Sequence, residues 1–148
     1  MEIKIKKLYE DSIIPTRGSD YAAGYDLYAY IHGEECSTRY ILPHETILIG
    51  TGVAIQPPKD TFGAVFARSG LASKQGLRPA NCVGVCDYDY TGEYMIALHN
   101  DSNTTKTVKH GDRIGQVVFI PYVNVNFVEV DELEETDRGD GGFGSTGV

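Results

Sequence analysis

Val53-Ala54-Ile55-Gln56-Pro57-Pro58-Lys59-Asp60-Thr61-Phe62-Gly63-Ala64-Val65-Phe66 is the stretch that decides the fold class. Two short runs rich in β-branched and aromatic residues flank a Pro-Pro turn, and neither is long enough for an ordinary helix. The same pattern recurs on both sides. Ile47-Leu48-Ile49 precedes it, and Met95-Ile96-Ala97-Leu98 and Val117-Val118-Phe119-Ile120 follow. Tyr90-Thr91-Gly92-Glu93, Asn100-Asp101-Ser102-Asn103 and His110-Gly111-Asp112 supply turn residues between them. Helical periodicity is nearly absent, so the expected fold is all-β: a sandwich, jelly roll or small barrel. Only Ser69 to Gln75 reads as a short helix, with Ser69 as a candidate N-cap. The opening Met1-Glu2-Ile3-Lys4-Ile5-Lys6-Lys7 alternates charged with apolar residues, which predicts a first strand and not a signal peptide. The alternation in Val123-Asn124-Val125-Asn126-Phe127 predicts a half-buried strand, late enough in the chain to pair with a neighbouring subunit. From Asp131 onward the chain turns acidic and then glycine-rich. The expected organisation is therefore one domain over residues 1–130 and a mobile arm over 131–148.

Composition narrows the function. The chain has 148 residues and a formal net charge of −8, which argues against general nucleic-acid binding, since that needs a basic patch. No run of eighteen apolar residues exists, so no membrane span is expected. Three cysteines, Cys36, Cys82 and Cys86, predict a reducing, intracellular setting, with the cytoplasm as the first expectation. Cys82 and Cys86 have the wrong spacing for a C-x₂-C metal knuckle and read as core residues. The four histidines are scattered and read as surface or core residues.

Three segments carry possible chemistry. In Arg138-Gly139-Asp140-Gly141-Gly142-Phe143-Gly144-Ser145-Thr146-Gly147, glycine N–H groups can converge on an anion while Ser145 and Thr146 add hydroxyl donors. Arg138 offers a planar fork for phosphate oxygens and Phe143 a face for a planar base. The plainer reading is a flexible, low-complexity tail. In Asn81-Cys82-Val83-Gly84-Val85-Cys86-Asp87-Tyr88-Asp89-Tyr90-Thr91-Gly92-Glu93, two β-rich segments meet in what reads as a hairpin. An extended backbone there would put Asp87 and Asp89 on one face and Tyr88 and Tyr90 on the other. Paired carboxylates serve acid/base chemistry or hold a metal; a solvated hairpin tip is the alternative. In Arg68-Ser69-Gly70-Leu71-Ala72, a serine and glycine open a short helix, either as a phosphate cradle or as a structural cap.

Taken in order, these segments resemble the five motifs of the trimeric dUTP pyrophosphatase family. Ala23-Gly24-Tyr25-Asp26-Leu27-Tyr28-Ala29 is similar to the first, Arg68-Ser69-Gly70-Leu71-Ala72 to the second and Gly84 through Glu93 to the third. Gly111-Asp112-Arg113-Ile114-Gly115-Gln116 is similar to the fourth and the glycine-rich tail to the fifth. Cys86 and Gly115 stand where the family usually has other aliphatic residues. The resemblance implies a jelly-roll-like subunit in a homotrimer, with each active site built from three chains. It implies hydrolysis of dUTP to dUMP and pyrophosphate, limiting dUTP and supplying dUMP for dTTP synthesis. Asp87 would be the general base that orients a water toward the α-phosphorus. Tyr90 would lie under the deoxyribose and Asn81 would pair with the uracil edge. Arg68, Ser69, Gly70 and Gln116 would bind the α- and β-phosphates. Arg138, Gly144, Ser145 and Thr146 would close on the γ-phosphate, and Phe143 would stack on uracil.

An anionic protein meeting an anionic triphosphate also calls for a divalent cation, and the resemblance implies Mg²⁺ held chiefly by phosphate oxygens and water. Asp26 would then act from its outer shell. Two other functions share this sequence pattern: a dCTP deaminase, which needs a carboxylate beside the cytosine amino group, and a regulatory protein that senses dUTP through its tail. Ammonia release from dCTP separates the first, and analogue-dependent capture of a partner the second.

Overall fold

The computed structural model describes residues 2–32, 37–81 and 83–142. Its strands are β1 (Lys4–Lys7), β2 (Thr16–Arg17), β3 (Tyr25–Tyr28), β4 (Thr38–Ile41), β5 (Thr46–Gln56), β6 (Thr61–Phe66), β7 (Leu77–Pro79), β8 (Gly84–Cys86), β9 (Glu93–Asn100), β10 (Lys106–Lys109) and β11 (Arg113–Pro121). One helix, α1 (Ser69–Gln75), follows β6. The fold is the expected all-β, jelly-roll-like sandwich. A four-stranded sheet runs β1-β5-β9-β7, a five-stranded sheet runs β2-β3-β11-β6-β8, and β4 pairs with β10 in a small third sheet. All the ladders are antiparallel.

The core forms between the layers. Leu27 and Val117 from the five-stranded sheet meet Val53, Ile96 and Leu98 from the four-stranded one, with Ile41 and Val108 closing one end; all are essentially inaccessible to water. Burial of each such aliphatic side chain contributes about 1.5–3 kcal/mol. Alternation along β9 follows from this packing: Tyr94, Ile96, Leu98 and Asn100 point inward, while Met95 faces outward.

The buried Asn100 fastens one end of the sandwich. Its Nδ2 donates to the carbonyls of Ile41, Leu42 and Thr104, and its Oδ1 accepts from the N–H and Oγ of Ser102. A polar group this deep must satisfy its bonds, and here it does so by joining β4, β9 and the turn after β9.

Four local expectations are corrected. Arg68, with extended φ −86° and ψ 128°, is the N-cap of α1, and Ser69 is its first helical residue. The chain needs an extended residue to leave β6, and Arg68 takes that place. Asp87 to Tyr90 is not an extended strand, because the Tyr90 N–H donates to the Asp87 carbonyl at 3.2 Å and closes a turn. The faces assigned to the two aspartates therefore do not apply. Nor do β8 and β9 form a hairpin. β8 pairs with β6 and β9 with β5 and β7, so residues 87–92 arch from one sheet to the other. Finally, residues 122–130 form no strand within this chain: Val123 is 83% exposed and Phe127 98%. A strand needs a partner edge, and the subunit offers this segment none.

Replacing Asn100 with Ala is expected to lower the free energy of unfolding by about 3 kcal/mol, because several buried carbonyls lose their donor at once. Urea denaturation followed by circular dichroism measures the change.

Candidate active site

Two polar cavities collect the residues that the sequence singled out. The first, of about 320 Å³, is lined by Asn81, Gly84, Cys86, Asp87, Tyr90 and Glu93, with Leu48, Val65, Met95 and Ile96 forming its apolar wall. The β8–β9 arch supplies most of its polar rim. Asp87 is exposed at the end of β8. The Tyr90 hydroxyl donates to the Glu93 carbonyl at 2.8 Å, which fixes the phenol ring against the start of β9. Asn81 lies over Gly84: a Cβ placed on that glycine would come within 3.2 Å of the Asn81 Nδ2. Beneath the arch, the Tyr94 hydroxyl is buried without a hydrogen-bond partner among the described residues. The half-buried Cys86 thiol is the polar group beside it, and burial pushes that thiol's pKa up.

The second cavity, of about 370 Å³, is lined by Gly24, Asp26, Arg68, Ser69, Gly70, Arg113 and Gln116, with a few neighbours. Charge organises it. The Arg68 Nε donates to the Asp26 Oδ1 at 2.7 Å, and an Arg113 terminal nitrogen donates to the Oδ2 at 3.2 Å. Asp26 is nearly buried on β3, whereas the Arg113 side chain is half exposed. One carboxylate thus holds two guanidinium groups side by side, and their unused N–H groups remain available to an anion. The first turn of α1 borders the same space, where backbone N–H groups have no intrahelical acceptor. Gln116, on β11, donates from its Nε2 to the Ala67 carbonyl at 2.9 Å. Its Oε1 sits so close to Gly24 that a Cβ there would be 2.3 Å away.

Of the residues singled out from sequence, Asn81, Asp87 and Tyr90 therefore meet in one cavity. Asp26, Arg68, Ser69, Gly70 and Gln116 meet in the other. The two linings share no residue. Arg138 lines neither; its Nε donates to the Gly141 carbonyl at 2.9 Å within a turn of its own. Phe143, Gly144, Ser145 and Thr146 lie outside the described residues. Sequence reasoning missed Arg113 and Glu93 as site residues. Both stand inside quoted motifs, and the signal for each is a charge beside a residue already assigned.

Residues 10–147 match the family model described as dUTPase. The chain belongs to the dUTPase family. It is 46% identical over 151 residues to a deoxyuridine 5'-triphosphate nucleotidohydrolase of Desulfitobacterium hafniense, covering 100% of this chain and 97% of that protein. It is 43% identical over 145 residues to the enzyme of the same name from Arabidopsis thaliana, covering 98% of this chain and 82% of that one. Among solved structures it resembles the Staphylococcus bacteriophage 80alpha dUTPase with dUpNHpp, at a TM-score of 0.87 and 27% identity, covering 99% of each chain.

Both departures from the family pattern are matters of packing in this dUTPase. Gly115 leaves room for Ile96, whose Cδ1 would lie 2.6 Å from a Cβ at that position. Cys86 packs its thiol beside Tyr94. Gly24→Ala is expected to push the Gln116 amide off the Ala67 carbonyl and weaken pyrophosphate binding about tenfold, the equivalent of one hydrogen bond. Titration calorimetry with inorganic pyrophosphate checks this.

Proposed function

We propose that this dUTPase hydrolyses dUTP to dUMP and pyrophosphate by attack of water on the α-phosphorus, with Asp87 as the general base. The observation that carries the reading is the pairing of two unlike cavities in one chain. One combines an apolar wall with Asn81, Tyr90 and an exposed carboxylate, and the other holds two arginines on a single aspartate. The first suits a nucleoside and the second an oligophosphate. The reaction limits the dUTP level and supplies dUMP for dTTP synthesis.

The chemistry needs positioning more than covalent help. Phosphoryl transfer proceeds when nucleophile and leaving group are aligned and the developing charge is neutralised. The Asp87 carboxylate accepts a proton from water, Asn81 pairs with the uracil edge, and Tyr90 lies under the sugar where a 2′-hydroxyl would clash. A cytosine amino group would leave buried polar groups unpaired, which is a strong basis for rejection. Arg68, the first-turn N–H groups of Ser69 and Gly70, and Gln116 bind the α- and β-phosphates, with Arg113 as a further cation beside them.

Mg²⁺ supplies charge neutralisation across the phosphate oxygens. The residues fit a cation brought in by the substrate: Asp26 is committed to two arginines, and no group of three or more His, Cys, Asp or Glu residues among those described forms a cage. Asp26 accordingly would contribute from the outer shell, through water.

The complete site belongs to a homotrimer. Because the two cavities share no wall within one subunit, neighbouring subunits bring nucleoside and phosphate pockets together. Two features support this assembly. An apolar groove lined by Ile3, Ile5, Ile14, Tyr25, Val117 and Phe119 lies open, and residues 122–130 expose Val123, Val125 and Phe127 with a strand's alternation. Residues 1–130 form the β-domain, and residues 131–148 form an arm that closes over an active site. Arg138, Gly144, Ser145 and Thr146 then reach the γ-phosphate and Phe143 stacks on uracil. No helix among the described residues is long and apolar enough to cross a membrane, and an intracellular, cytoplasmic enzyme fits the cysteine usage.

Pyrophosphate release measured in parallel with dUTP, dTTP, dCTP and UTP tests the reading, and no release from dUTP would overturn it. Asp87→Asn is expected to bind dUTP while losing about 10²–10⁴-fold in kcat, the usual contribution of a general base; full turnover would remove Asp87 from that role. Deleting residues from Arg138 onward is expected to abolish turnover while the mass in solution stays that of a trimer. Light scattering alongside the assay reads both.

A further inference from the structure

Glu93 is the first residue of β9, directly after the arch that carries Asp87 and Tyr90. Both of its polar ends are engaged. Its Oε1 accepts from the Gly52 N–H at 2.7 Å, and its main-chain carbonyl accepts from the Tyr90 hydroxyl at 2.8 Å. Gly52 lies in a bulge of β5, where the register against β9 shifts between Gly50 and Ala54 and the Gly52 φ is +69°. A bulge takes an N–H out of the ladder and leaves it to be paired by other means. Here the Glu93 carboxylate does so, packed so tightly that a Cβ on Gly50 would lie 2.4 Å from the same oxygen. Glu93 also lines the cavity that contains Asp87 and Tyr90.

These contacts form a chain. The β5 bulge holds the Glu93 side chain, and the Glu93 carbonyl holds the Tyr90 phenol. Tyr90 and Asp87 are joined in turn by the bond that closes their turn, N–H to carbonyl at 3.2 Å. We propose that Glu93 is a positioning residue: its hydrogen bond to the β5 bulge sets where Tyr90 stands and so sets how strongly the site prefers a deoxyribose to a ribose. The inference rests on the dUTP hydrolysis proposed above. It requires an acceptor at position 93, not a charge, because the partner is a neutral amide.

The test uses the full-length protein and the ratio of kcat/KM for dUTP to that for UTP. This ratio does not depend on the fraction of protein that is folded, so a loss of stability alone leaves it unchanged. Glu93→Met keeps the length of the side chain and removes the acceptor; its ratio is expected to fall about tenfold, as a small displacement of a substrate-contacting ring warrants. Glu93→Gln keeps the acceptor and is expected to restore the ratio to within about threefold of the wild type. If the Met protein does not fold, Glu93→Asp, too short to reach Gly52, takes its place with the same expected fall. A Met or Asp variant with the wild-type ratio would overturn the inference, and so would a Gln variant as impaired as the Met one. Wild-type protein inert toward dUTP would instead overturn the function itself, so the two failures are distinguishable.

Discussion

The structure depends on how the chain crosses between its two main sheets. β8 is paired in one and β9 in the other, so the backbone between them must traverse the edge of the sandwich. A crossing of this kind leaves backbone groups outside either ladder, and side chains and turn bonds must satisfy them. Tyr90, Glu93 and the Asp87–Tyr90 turn do this locally, while Tyr94, buried one residue further on, anchors the far end in the core. The exposed Asp87 carboxylate therefore stands on a loop that is held at both ends. The role proposed for Asp87 needs such bracing, because a misplaced general base costs rate steeply.

The cavity built on Asp26 solves a different problem. A chain of net charge −8 must receive a polyanion. Long-range attraction is absent, so binding has to come from short-range, oriented donors. Asp26 provides the orientation. By accepting from both Arg68 and Arg113, it keeps two like-charged groups together that would otherwise repel, at the expense of part of their charge. Each planar guanidinium gives Asp26 one N–H and retains the others of its fork for a second acceptor, which a lysine could not match in geometry.

The unpaired features of the subunit point outward. An apolar groove, an exposed segment at 122–130 whose sequence alternates, and Arg138, which lines neither cavity, are costly or idle in an isolated chain. Exposed apolar surface of this kind is characteristic of a chain that completes itself with other copies.

Much of this was readable from the residues. Short β-rich runs between Pro, Gly and Asn turns determine an all-β fold, since nothing in them supports helical burial. The Arg68-Ser69-Gly70, Asp87-Tyr90 and Gly111–Gln116 segments are open to structural readings one by one, and it is their order along the chain that resembles the family. What sequence could not reach was set by partners distant along the chain. Asp26 and Arg113 stand 87 positions apart and Glu93 and Gly52 41, so their pairing depends on which strands lie side by side. Likewise Asp87 and Asp89 share a face only on an extended strand, and a single bond between Tyr90 and Asp87 made that backbone a turn. Residue chemistry is local and survives in the sequence; strand order and register are collective properties of the packed sandwich, and they alone decided which of those groups meet.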